Sequence, residues 1–417
     1  MSSWCRIIWR RPWGMPLEFC EGAISGMDEQ GRLAIALIAA ALPPKLDGIG
    51  DYTANVAAEL AKSATVVLLG PKNYAPTPIP GIVIQPLTDF SRPFRLGSLT
   101  TYLETYQPDW LLHQYNPFSH GRWGLNVRLP LVMRAIQRQR KARIALMVHE
   151  PFVPVTSWKF AVMTIWQRWQ FWMLGRSADV VFFSIDPWVR RFQPWFPGKP
   201  VRHLPVGSNL PRVPMSRGEA KHRLGIDPDR LVIGLFGGIS AVRMPGLIAS
   251  ALRNAMETSH RVMLLYVGPD GAKLNAILNG LPFRNEGCLP GNEASILFAA
   301  MDIYLAPYVD GISTRRTTLM AALQHGIPTV GTSGEATDDI LARNAERAFL
   351  LSGVNEPGAF EAHAGKLLND VGLRASVGAE GQALYEREFS WPRIVKQLLS
   401  EFETASGIAA ASHLEAV

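Results

Sequence analysis

The chain has 417 residues, enough for two or three domains, each with its own core. Charged residues make up 18% and hydrophobic residues 47%, which argues against large-scale disorder and favours buried strands and helices. A net charge of +7 is compatible with an anionic small substrate, an anionic membrane surface or nucleic acid. The three cysteines show no pairing or metal-ligand spacing, so we expect a reducing compartment such as the cytoplasm.

The first 31 residues form a basic and aromatic extension, in which tryptophans and arginines alternate between Trp4 and Trp13. Two interpretations stay open: the extension is a membrane-interface segment or flexible arm, or the natural chain begins at Met27. The apolar run from Leu33 to Leu42 is too short to span a bilayer and leads into a glycine loop. We therefore interpret it as the first buried strand and not as a signal peptide.

Short runs rich in Val, Ile and Leu alternate with helical or loop segments along the rest of the chain. Such runs are typical of parallel strands covered on both faces. We predict strands over 33–39, 65–69, 82–84, 109–113, 143–148 and 179–183, and then over 231–236, 261–267, 302–306, 328–331 and 348–351. The pattern predicts an α/β fold of two doubly wound, Rossmann-like domains facing a cleft. A Pro- and Gly-rich segment around Pro205 to Pro214 separates the two, so we predict domains over 32–210 and 211–385, with a closing segment over 386–417.

The first predicted strand is followed by the loop Gly48-Ile49-Gly50 and by an amphipathic helix from Thr53 to Leu60. Free amides at that helix start could hold a phosphate. An ordinary strand-to-helix turn is the alternative, but the position after the first strand of a doubly wound sheet favours a binding role. We place Gly48, Gly50 and Asp51 among the predicted substrate-binding residues.

Polar residues also follow two later strands. His149 and Glu150 come directly after the strand 143–148, where a histidine could donate to a substrate oxygen or carry a proton. Gln114 lies in the polar group His113 to Asn116 after the preceding strand, and suggests recognition of hydroxyl groups. The alternative at both strand ends is a structural histidine whose side chain only hydrogen-bonds backbone groups.

The stretch from Asp310 to Pro328 predicts a helix with Ser313 as its N-cap and Arg315 and Arg316 in its first turn. Cations are unfavourable at a helix amino end, which carries a partial positive charge. A bound diphosphate would make the arrangement favourable, because it accepts hydrogen bonds both from the free backbone amides and from the arginine side chains. Hydroxyls of Ser313, Thr314 and Thr317 could bind the same oxygens, and Arg243 after the strand 231–236 would add a third cation. In the alternative interpretation the two arginines point to solvent or pair with Asp310, Asp338 or Asp339.

A run from Ser157 to Gly175 carries Trp158, Trp166, Trp169 and Trp172 close to one helical stripe, with Lys159, Arg168 and Arg176 nearby. Tryptophan beside cations is typical of a membrane interface. A helix packed on its own sheet carries a similar stripe, and we expect these tryptophans to belong to the core.

The order of these motifs resembles the retaining glycosyltransferases of family 4, two-domain enzymes of the type-B architecture. The resemblance covers roughly Arg32 to Leu399. It includes the glycine loop, the histidine after a strand, the segment "VGSN", the run "HGIPTVGT" and the late "REFSWPRIVKQL", which looks like the family's closing helix that returns to the amino-terminal domain.

The resemblance implies metal-independent, retaining transfer of a sugar from a nucleotide-diphosphate sugar to a hydroxyl, with no other cofactor. It implies that His149 contacts the donor sugar, that Arg243 holds the diphosphate, and that Gly48 and Gly50 approach the donor phosphates. Our mechanistic hypothesis adds that Arg243, Arg315, Arg316 and the helix start stabilise the charge that grows on the departing diphosphate. The family's ribose-binding glutamate falls on Ala321, and its first glutamate on Ser313 or, with a longer loop, on Asp310. We therefore place Asp310 with His149, Arg243 and Arg316 in the predicted catalytic group, as a variant donor site.

The expected acceptor is a saccharide or lipid-linked saccharide in cell-surface polysaccharide or glycolipid synthesis, met in the cytoplasm with a peripheral contact to the inner face of the membrane. A non-catalytic sugar-nucleotide binder in a polysaccharide assembly complex and a nucleotide-sugar epimerase are the alternatives. Nucleic-acid binding ranks last, because the basic residues are dispersed and no recognition module is apparent.

Overall fold

The computed structural model describes residues 32–88, 97–240, 242–258 and 261–407. The predicted basic and aromatic extension, residues 1–31, lies outside the described residues. The described chain forms two α/β units, each built on one sheet of parallel strands flanked by helices. The predicted fold of two doubly wound, Rossmann-like domains is therefore confirmed.

The amino-terminal sheet has seven strands. They are Ala34–Ile38 (β1), Thr65–Pro71 (β2), Val83–Thr88 (β3), Trp110–Tyr115 (β4), Arg143–Val148 (β5), Val180–Phe183 (β6) and Val201–His203 (β7). Their order across the sheet is β3-β2-β1-β4-β5-β6-β7, with every pairing parallel. The helices of this unit are Gly48–Leu60 (α1), Gly97–Tyr106 (α2), Arg128–Gln139 (α3), Trp158–Ser177 (α4) and Asp186–Phe192 (α5).

The carboxyl-terminal sheet has six strands. They are Leu231–Phe236 (β8), Val262–Val267 (β9), Phe283–Asn285 (β10), Ile303–Ala306 (β11), Thr329–Ser333 (β12) and Leu350–Gly353 (β13), in the order β10-β9-β8-β11-β12-β13. The helices are Arg217–Arg223 (α6), Pro245–Thr258 (α7), Gly271–Leu278 (α8), Gly291–Ala299 (α9), Thr317–Gln324 (α10), Asp339–Arg343 (α11), Pro357–Asn369 (α12), Val371–Leu384 (α13) and Trp391–Ser406 (α14). The short strands β7 and β10 have no counterpart among the predicted strands.

Apolar side chains cover both faces of each sheet, which is why the strands read as continuous apolar runs. One face of the amino-terminal sheet packs on α2, α3, α4 and α5. The outer face of the carboxyl-terminal sheet packs on α7, α8 and α12. A third cluster is continuous between the two units and includes residues of α1, α10 and α14.

The last helix, α14, packs against the amino-terminal unit. Phe402 stacks on Trp110 of β4 with ring centroids 4.2 Å apart, and Trp391 lies edge-on to Tyr52 of α1. Residues 204–216, between β7 and α6, form no helix or strand. The indole of Trp391 donates to the carbonyl of Ser208 in this segment at 2.9 Å, so α14 also fixes the connection between the two units.

Candidate functional site

The carboxyl ends of the two sheets border a cleft that contains a cavity of about 320 Å³. The amino-terminal unit contributes the start of α1 and the residues after β4 and β5, and the carboxyl-terminal unit contributes the residues before and at the start of α10. Parallel α/β sheets bind ligands at this edge. Of the predicted site residues, the cavity brings together Gly48, His149, Glu150, Arg315, Arg316 and Thr317.

Arg315 and Arg316 share one carboxylate. Each donates from Nη2 to a different oxygen of Asp310, and both distances are 2.6 Å. Stacking fixes the two guanidinium groups further: that of Arg315 lies 5.0 Å from the ring centre of Trp188, and that of Arg316 lies 4.2 Å from the ring centre of Tyr308. The alternative in which Asp310 pairs with both arginines is thus what the structure shows, yet both side chains still line the cleft.

Two like charges are held close together with one carboxylate between them. Burial and the neighbouring Arg315 lower the pKa of Arg316 below its ordinary value, while Asp310 opposes that change. The two guanidinium groups share the carboxylate of Asp310, while Asp47 and Glu150 add two negative charges to the cavity wall. An anion with several oxygens suits the guanidinium pair where it takes the place of these carboxylates as the hydrogen-bond acceptor.

The predicted start of the helix was wrong. Arg316 is the N-cap of α10, so Arg315 and Arg316 precede the helix, and Ser313 is not its cap. The backbone amide of Thr314 instead donates to the carboxylate of Asp338 at 2.6 Å, and a turn follows in which the amide of Arg316 donates to the carbonyl of Ser313 at 3.1 Å. Arg316 therefore still lies at the positive end of the helix dipole, where a neighbouring anion such as the Asp310 carboxylate is favourable.

The predicted phosphate ligands Ser313 and Thr314 do not reach the cavity, because both are fully buried. The Thr314 hydroxyl bonds the carbonyl of Ser184 at 2.7 Å and the Nε2 atom of His203 at 2.8 Å, both in the amino-terminal unit. Thr314 therefore joins the two units. Thr317, the first residue of α10, is the hydroxyl residue of this group that lines the cavity.

Arg243 does not stand beside the other two arginines at the cavity. It is 4% exposed, and its guanidinium donates to the backbone carbonyls of Phe236 and Gly238. The same group lies 4.9 Å from the ring centre of Tyr308, on which Arg316 also stacks. The expectation of three cations at one mouth is therefore wrong, and Arg243 acts on this region through Tyr308.

The glycine loop is part of a helix. α1 begins at Gly48 and not at Thr53, and the carboxylate of Asp47 caps it by accepting from the amides of Ile49 and Gly50 at 3.1 and 2.7 Å. Those two amides are thus already bonded, and Asp47 adds a negative charge where the sequence predicted a phosphate. The cap was foreseeable, because aspartate before a helix start is a common N-cap.

The two glycines have different surroundings. A Cβ atom on Gly48 would meet nothing within 4 Å, whereas one on Gly50 would lie 2.9 Å from the carbonyl oxygen of Ala41. Gly48 therefore leaves room for a ligand, and Gly50 lets α1 pack on the chain after β1. Asp51 hydrogen-bonds Asn209 between the units, and burial raises the pKa of its carboxyl.

His149 is almost fully buried at the end of β5, and burial lowers its pKa to about 3, so the ring is neutral at pH 7. Its Nε2 atom lies 2.8 Å from the amide oxygen of Gln114, and its ring is edge-on to Tyr52 at 4.9 Å. With an amide oxygen as acceptor, Nε2 carries the proton and Nδ1 is an acceptor. Gln114 is buried and positions His149, so its predicted direct contact with substrate is not what the structure shows.

Glu150 extends across the cleft. One carboxylate oxygen lies 3.5 Å from Nη1 of Arg315, and the other accepts from the side-chain amide of Asn116 at 3.5 Å. The side chain is 45% exposed, so water screens this ion pair and its contribution to stability is small. Glu150 is a carboxylate that a ligand can reach from the cavity and that already faces a cation of the other unit.

A second, larger cavity of about 940 Å³ adjoins the first, and Glu150 and Arg315 line both. Its walls come from the segment 150–156, from α4 and α5, and from Val242, Val309 and Asp310 of the carboxyl-terminal unit. Aromatic and aliphatic side chains predominate, among them Phe152, Phe160 and Trp188. This cavity could not be predicted from the sequence, because its walls come from distant parts of the chain.

A buried carboxylate, that of Asp338, hydrogen-bonds both units beside the site. Asp338 is fully buried and accepts from the amides of Thr314 and Asp186, and burial raises its pKa to about 7 despite these bonds.

Among the residues the structure describes, no three His, Cys, Asp or Glu side chains are grouped so as to hold a metal ion. Over the same residues, no helix is both long and apolar enough to cross a membrane.

Ala321, at the position of the family's ribose-binding glutamate, is fully buried in the middle of α10. The chain thus offers no carboxylate at this position. A ribose contact, if made, needs another residue of the cleft.

No protein-family model matches the chain. A curated relative, the D-inositol 3-phosphate glycosyltransferase of Actinosynnema mirum, is 26% identical over 332 residues, which cover 72% of each chain. Among solved structures, sucrose-phosphate synthase from Thermosynechococcus elongatus superposes with a TM-score of 0.69 at 17% identity, covering 90% of this chain and 100% of that one.

Two further structures superpose over 89% of this chain and 100% of their own. Anabaena HepE in complex with UDP and glucose gives a TM-score of 0.62 at 15% identity, and WaaG, a glycosyltransferase involved in lipopolysaccharide biosynthesis, gives 0.63 at 14% identity. At these identities the structures establish the fold. The chain has the two-domain type-B glycosyltransferase architecture, and its resemblance to the glycosyltransferases of family 4 is confirmed.

Proposed function

We propose that this protein is a retaining glycosyltransferase that moves a sugar from a nucleoside diphosphate sugar to a hydroxyl group of an acceptor. One observation carries the proposal: Arg315, Arg316 and Thr317 line a cleft opposite Gly48 and His149. A diphosphate on the arginine side would leave its sugar near His149. The curated relative is a glycosyltransferase by name, and HepE is known with UDP and UDP-glucose, which supports a nucleoside diphosphate sugar as donor.

The arginine pair suits a departing diphosphate. In the transfer step the bond between the anomeric carbon and the diphosphate oxygen breaks, and the acceptor oxygen forms its bond on the same face of the sugar. The acceptor hydroxyl passes its proton to the departing phosphate oxygen, so atoms and charge balance without a protein base. Arg315 and Arg316 stabilise the negative charge that grows on the leaving group, a role that cationic forks in a partly buried cleft perform well. This supports a metal-independent reaction.

His149 would bind the donor sugar as a neutral ring. Its low pKa keeps it uncharged, and the bond to Gln114 makes Nδ1 an acceptor for a sugar hydroxyl. Asp310 orients the two guanidinium groups and so belongs to the catalytic group as a positioning residue. Arg243 holds Tyr308, against which Arg316 stacks.

The larger cavity is the proposed acceptor site. It adjoins the smaller one, and its aromatic and aliphatic walls fit an acceptor with an apolar part, such as a lipid-linked saccharide. Synthesis of a cell-surface polysaccharide or glycolipid at the cytoplasmic side of a membrane is the setting that agrees with such an acceptor. The predicted domains 32–210 and 211–385 then serve acceptor and donor respectively.

The test combines binding and turnover. Nucleoside diphosphates and their sugars are first screened by thermal shift, since a ligand at 100 times its dissociation constant adds about 2.7 kcal/mol of stability. The stabilising donor is then incubated with acceptors, with and without EDTA, and the anomeric configuration of the product is read by NMR. We expect a product with retained configuration in both samples.

A second candidate is a sugar-nucleotide binder without catalysis, and the buried Ala321 favours it because the chain lacks that carboxylate of the family. A binder would be stabilised by the donor but would form no product. An epimerase would change the sugar without any acceptor. Binding without turnover, or turnover that needs no acceptor, would refute the proposed transfer.

A further inference from the structure

Helix α4 has two apolar sides, and the residues that the structure describes cover only one of them. Residues such as Phe171 and Leu174 are buried against the sheet. The opposite side carries a second stripe with spacings of four and three residues, which we call the tryptophan face: Trp158 (74% exposed), Val162 (45%), Ile165 (71%), Trp169 (38%) and Trp172 (39%). The expectation that these tryptophans belong to the core is wrong for Trp158, Trp169 and Trp172, and Trp166 is half-buried.

This stripe is long and continuous. Its residues recur at i, i+4, i+7, i+11 and i+14, so they lie on one side of the helix. A helix of 20 residues is about 30 Å long at 1.5 Å per residue, and the stripe covers most of that length. An exposed apolar surface of this kind on a folded protein marks an interaction site.

A loop bonded to the same helix adds three more exposed apolar side chains. Trp123, Leu125 and Val127 are 61%, 45% and 47% exposed, and they alternate with buried residues. Two buried glutamines of α4 hold this loop: Gln167 donates to the carbonyl of Trp123 at 3.2 Å, and Gln170 donates to the carbonyl of Gly124 at 2.6 Å. Trp123 has a φ of 58°, a left-handed conformation that is uncommon for a large side chain and that these bonds help to maintain.

The part of the sequence that contains this surface is strongly basic. Helix α4 itself carries Lys159, Arg168 and Arg176 and no acidic residue. Residues 110–178 contain ten Lys and Arg and a single acidic residue, Glu150, which gives a net charge of +9. The rest of the chain has 32 basic and 34 acidic residues, a net charge of −2, so the positive excess of the protein is confined to this segment. Lys159 and Arg176 lie 5.9 and 5.6 Å from the rings of Trp158 and Trp172, at the two ends of the stripe.

The spacing and charge of the tryptophan face indicate which kind of partner binds it. A spacing of four and three also suits a coiled-coil contact with a second copy of the chain. Such a contact would bring two surfaces of net positive charge together, which is unfavourable, and large tryptophans pack poorly at that seam. A negatively charged lipid surface complements both properties, since tryptophan and lysine or arginine stems are stable at the level of the headgroups.

We propose that the tryptophan face, together with the loop around Trp123, is a docking surface for the anionic headgroup region of a lipid bilayer. The helix lies along the bilayer surface, its apolar stripe enters the headgroup boundary, and Lys159 and Arg176 contact lipid phosphates. On another side the same helix lines the larger cavity through Phe160, Thr164 and Arg168. Docking would therefore hold that cavity next to the membrane. The docking surface does not depend on the proposed function, but this role for the cavity rests on the proposed acceptor site.

The full chain is tested by sedimentation with vesicles of phosphatidylcholine alone and of phosphatidylcholine with 30% phosphatidylglycerol. One variant combines Trp158→Ser, Trp169→Ser and Trp172→Ser, and another combines Lys159→Glu and Arg176→Glu. Val371→Ser, at a 73% exposed position of the other unit, is the apolar control, and Arg347→Glu with Arg387→Glu is the charge control of equal size. Thermal unfolding and light scattering of every variant verify fold and oligomeric state.

We expect the wild-type chain to bind anionic vesicles and to dissociate at high salt. The tryptophan variant should bind roughly tenfold more weakly or worse. Each cation is worth about a fivefold change in partitioning near an anionic surface, so the double reversal should weaken binding by roughly 25-fold or more. Both controls should bind like the wild type.

Three results would overturn the proposal. The wild-type chain does not bind anionic vesicles at low salt. Binding persists in both test variants, which would assign it to another segment, such as the arginine- and tryptophan-rich start of the chain. The third is a wild-type chain that is a dimer and binds no vesicles, and whose tryptophan variant is a monomer. That result would assign the face to contact with a second copy of the chain.

Discussion

The charge carried by Arg316 is the most direct test of the proposed reaction. In Arg316→Ala the leaving group loses one of two cations in a cleft where that side chain is only 16% exposed. Removal of one group that stabilises developing charge in such a site typically lowers kcat by about 100- to 1000-fold, or roughly 3 to 4 kcal/mol. Asp310 keeps its 2.6 Å bond to Arg315, so it is not left unpaired. The fold should therefore lose only the stacking on Tyr308 and one ion pair, about 1 to 2 kcal/mol.

The assay measures release of nucleoside diphosphate from the donor at saturating acceptor, with urea unfolding of the same samples. Arg316→Lys keeps the charge but loses the fork and the stacking, so it should lie between wild type and Arg316→Ala. Arg347→Ala is the matched control, because Arg347 is 69% exposed and pairs with a single carboxylate, Glu380, at 3.1 Å. Wild-type kcat in Arg316→Ala, or an equal loss in the Arg347 control, would refute the role of the arginine pair.

Three further predictions follow from the contacts of the site. Gly48→Val should leave thermal stability unchanged and weaken donor binding in calorimetry, whereas Gly50→Val should lower stability because its Cβ atom meets Ala41 at 2.9 Å; equal effects would contradict the assignment. Asp310→Asn should destabilise the free protein by roughly 3 kcal/mol, since two guanidinium groups lose the carboxylate they share and Arg315 keeps only its contact with Glu150, and should increase the thermal shift caused by a nucleoside diphosphate; a smaller shift would count against competition between carboxylate and ligand. Because the pKa of His149 falls to about 3 on folding, its contribution to stability is complete above pH 6.5 and is lost as the pH falls toward 3. By urea unfolding, His149→Gln should lose about 2 kcal/mol less than wild type between pH 7 and pH 5, and parallel losses would exclude this linkage.

Several elements were predictable because their cause is local. Runs such as Leu231–Phe236 and Arg143–Val148 match the observed strands at both ends, since strands covered on both faces must be apolar throughout. The end of α10 was also predictable, because Gly326 adopts a φ of 65° and terminates the helix. The start of α10 was not predictable, because it depends on the hydrogen bond from the amide of Thr314 to Asp338, which joins residues 24 positions apart.

The candidate site shows the same division. The sequence alone indicated that Arg315, Arg316 and His149 follow strands of parallel sheets, and parallel strands end at one edge, so these residues reach the cleft. Only the tertiary structure decided that Asp310 lies between the two guanidinium groups and that Arg243 is buried against Tyr308. Contacts of this kind depend on loop conformation and on side-chain packing, which periodicity does not determine.

Helix α4 makes the limit clearest. Its sequence determined that apolar residues occur on both sides of a helix, and hydrophobic spacing carries no more information than that. Which side the sheet covers depends on how the helix is rotated when it packs, and the buried bonds of Gln167 and Gln170 to the neighbouring loop help to fix that rotation. The tertiary structure thus decided that Phe171 is inside and Trp169 outside, because each side chain is buried or exposed by its neighbours and not by its own polarity.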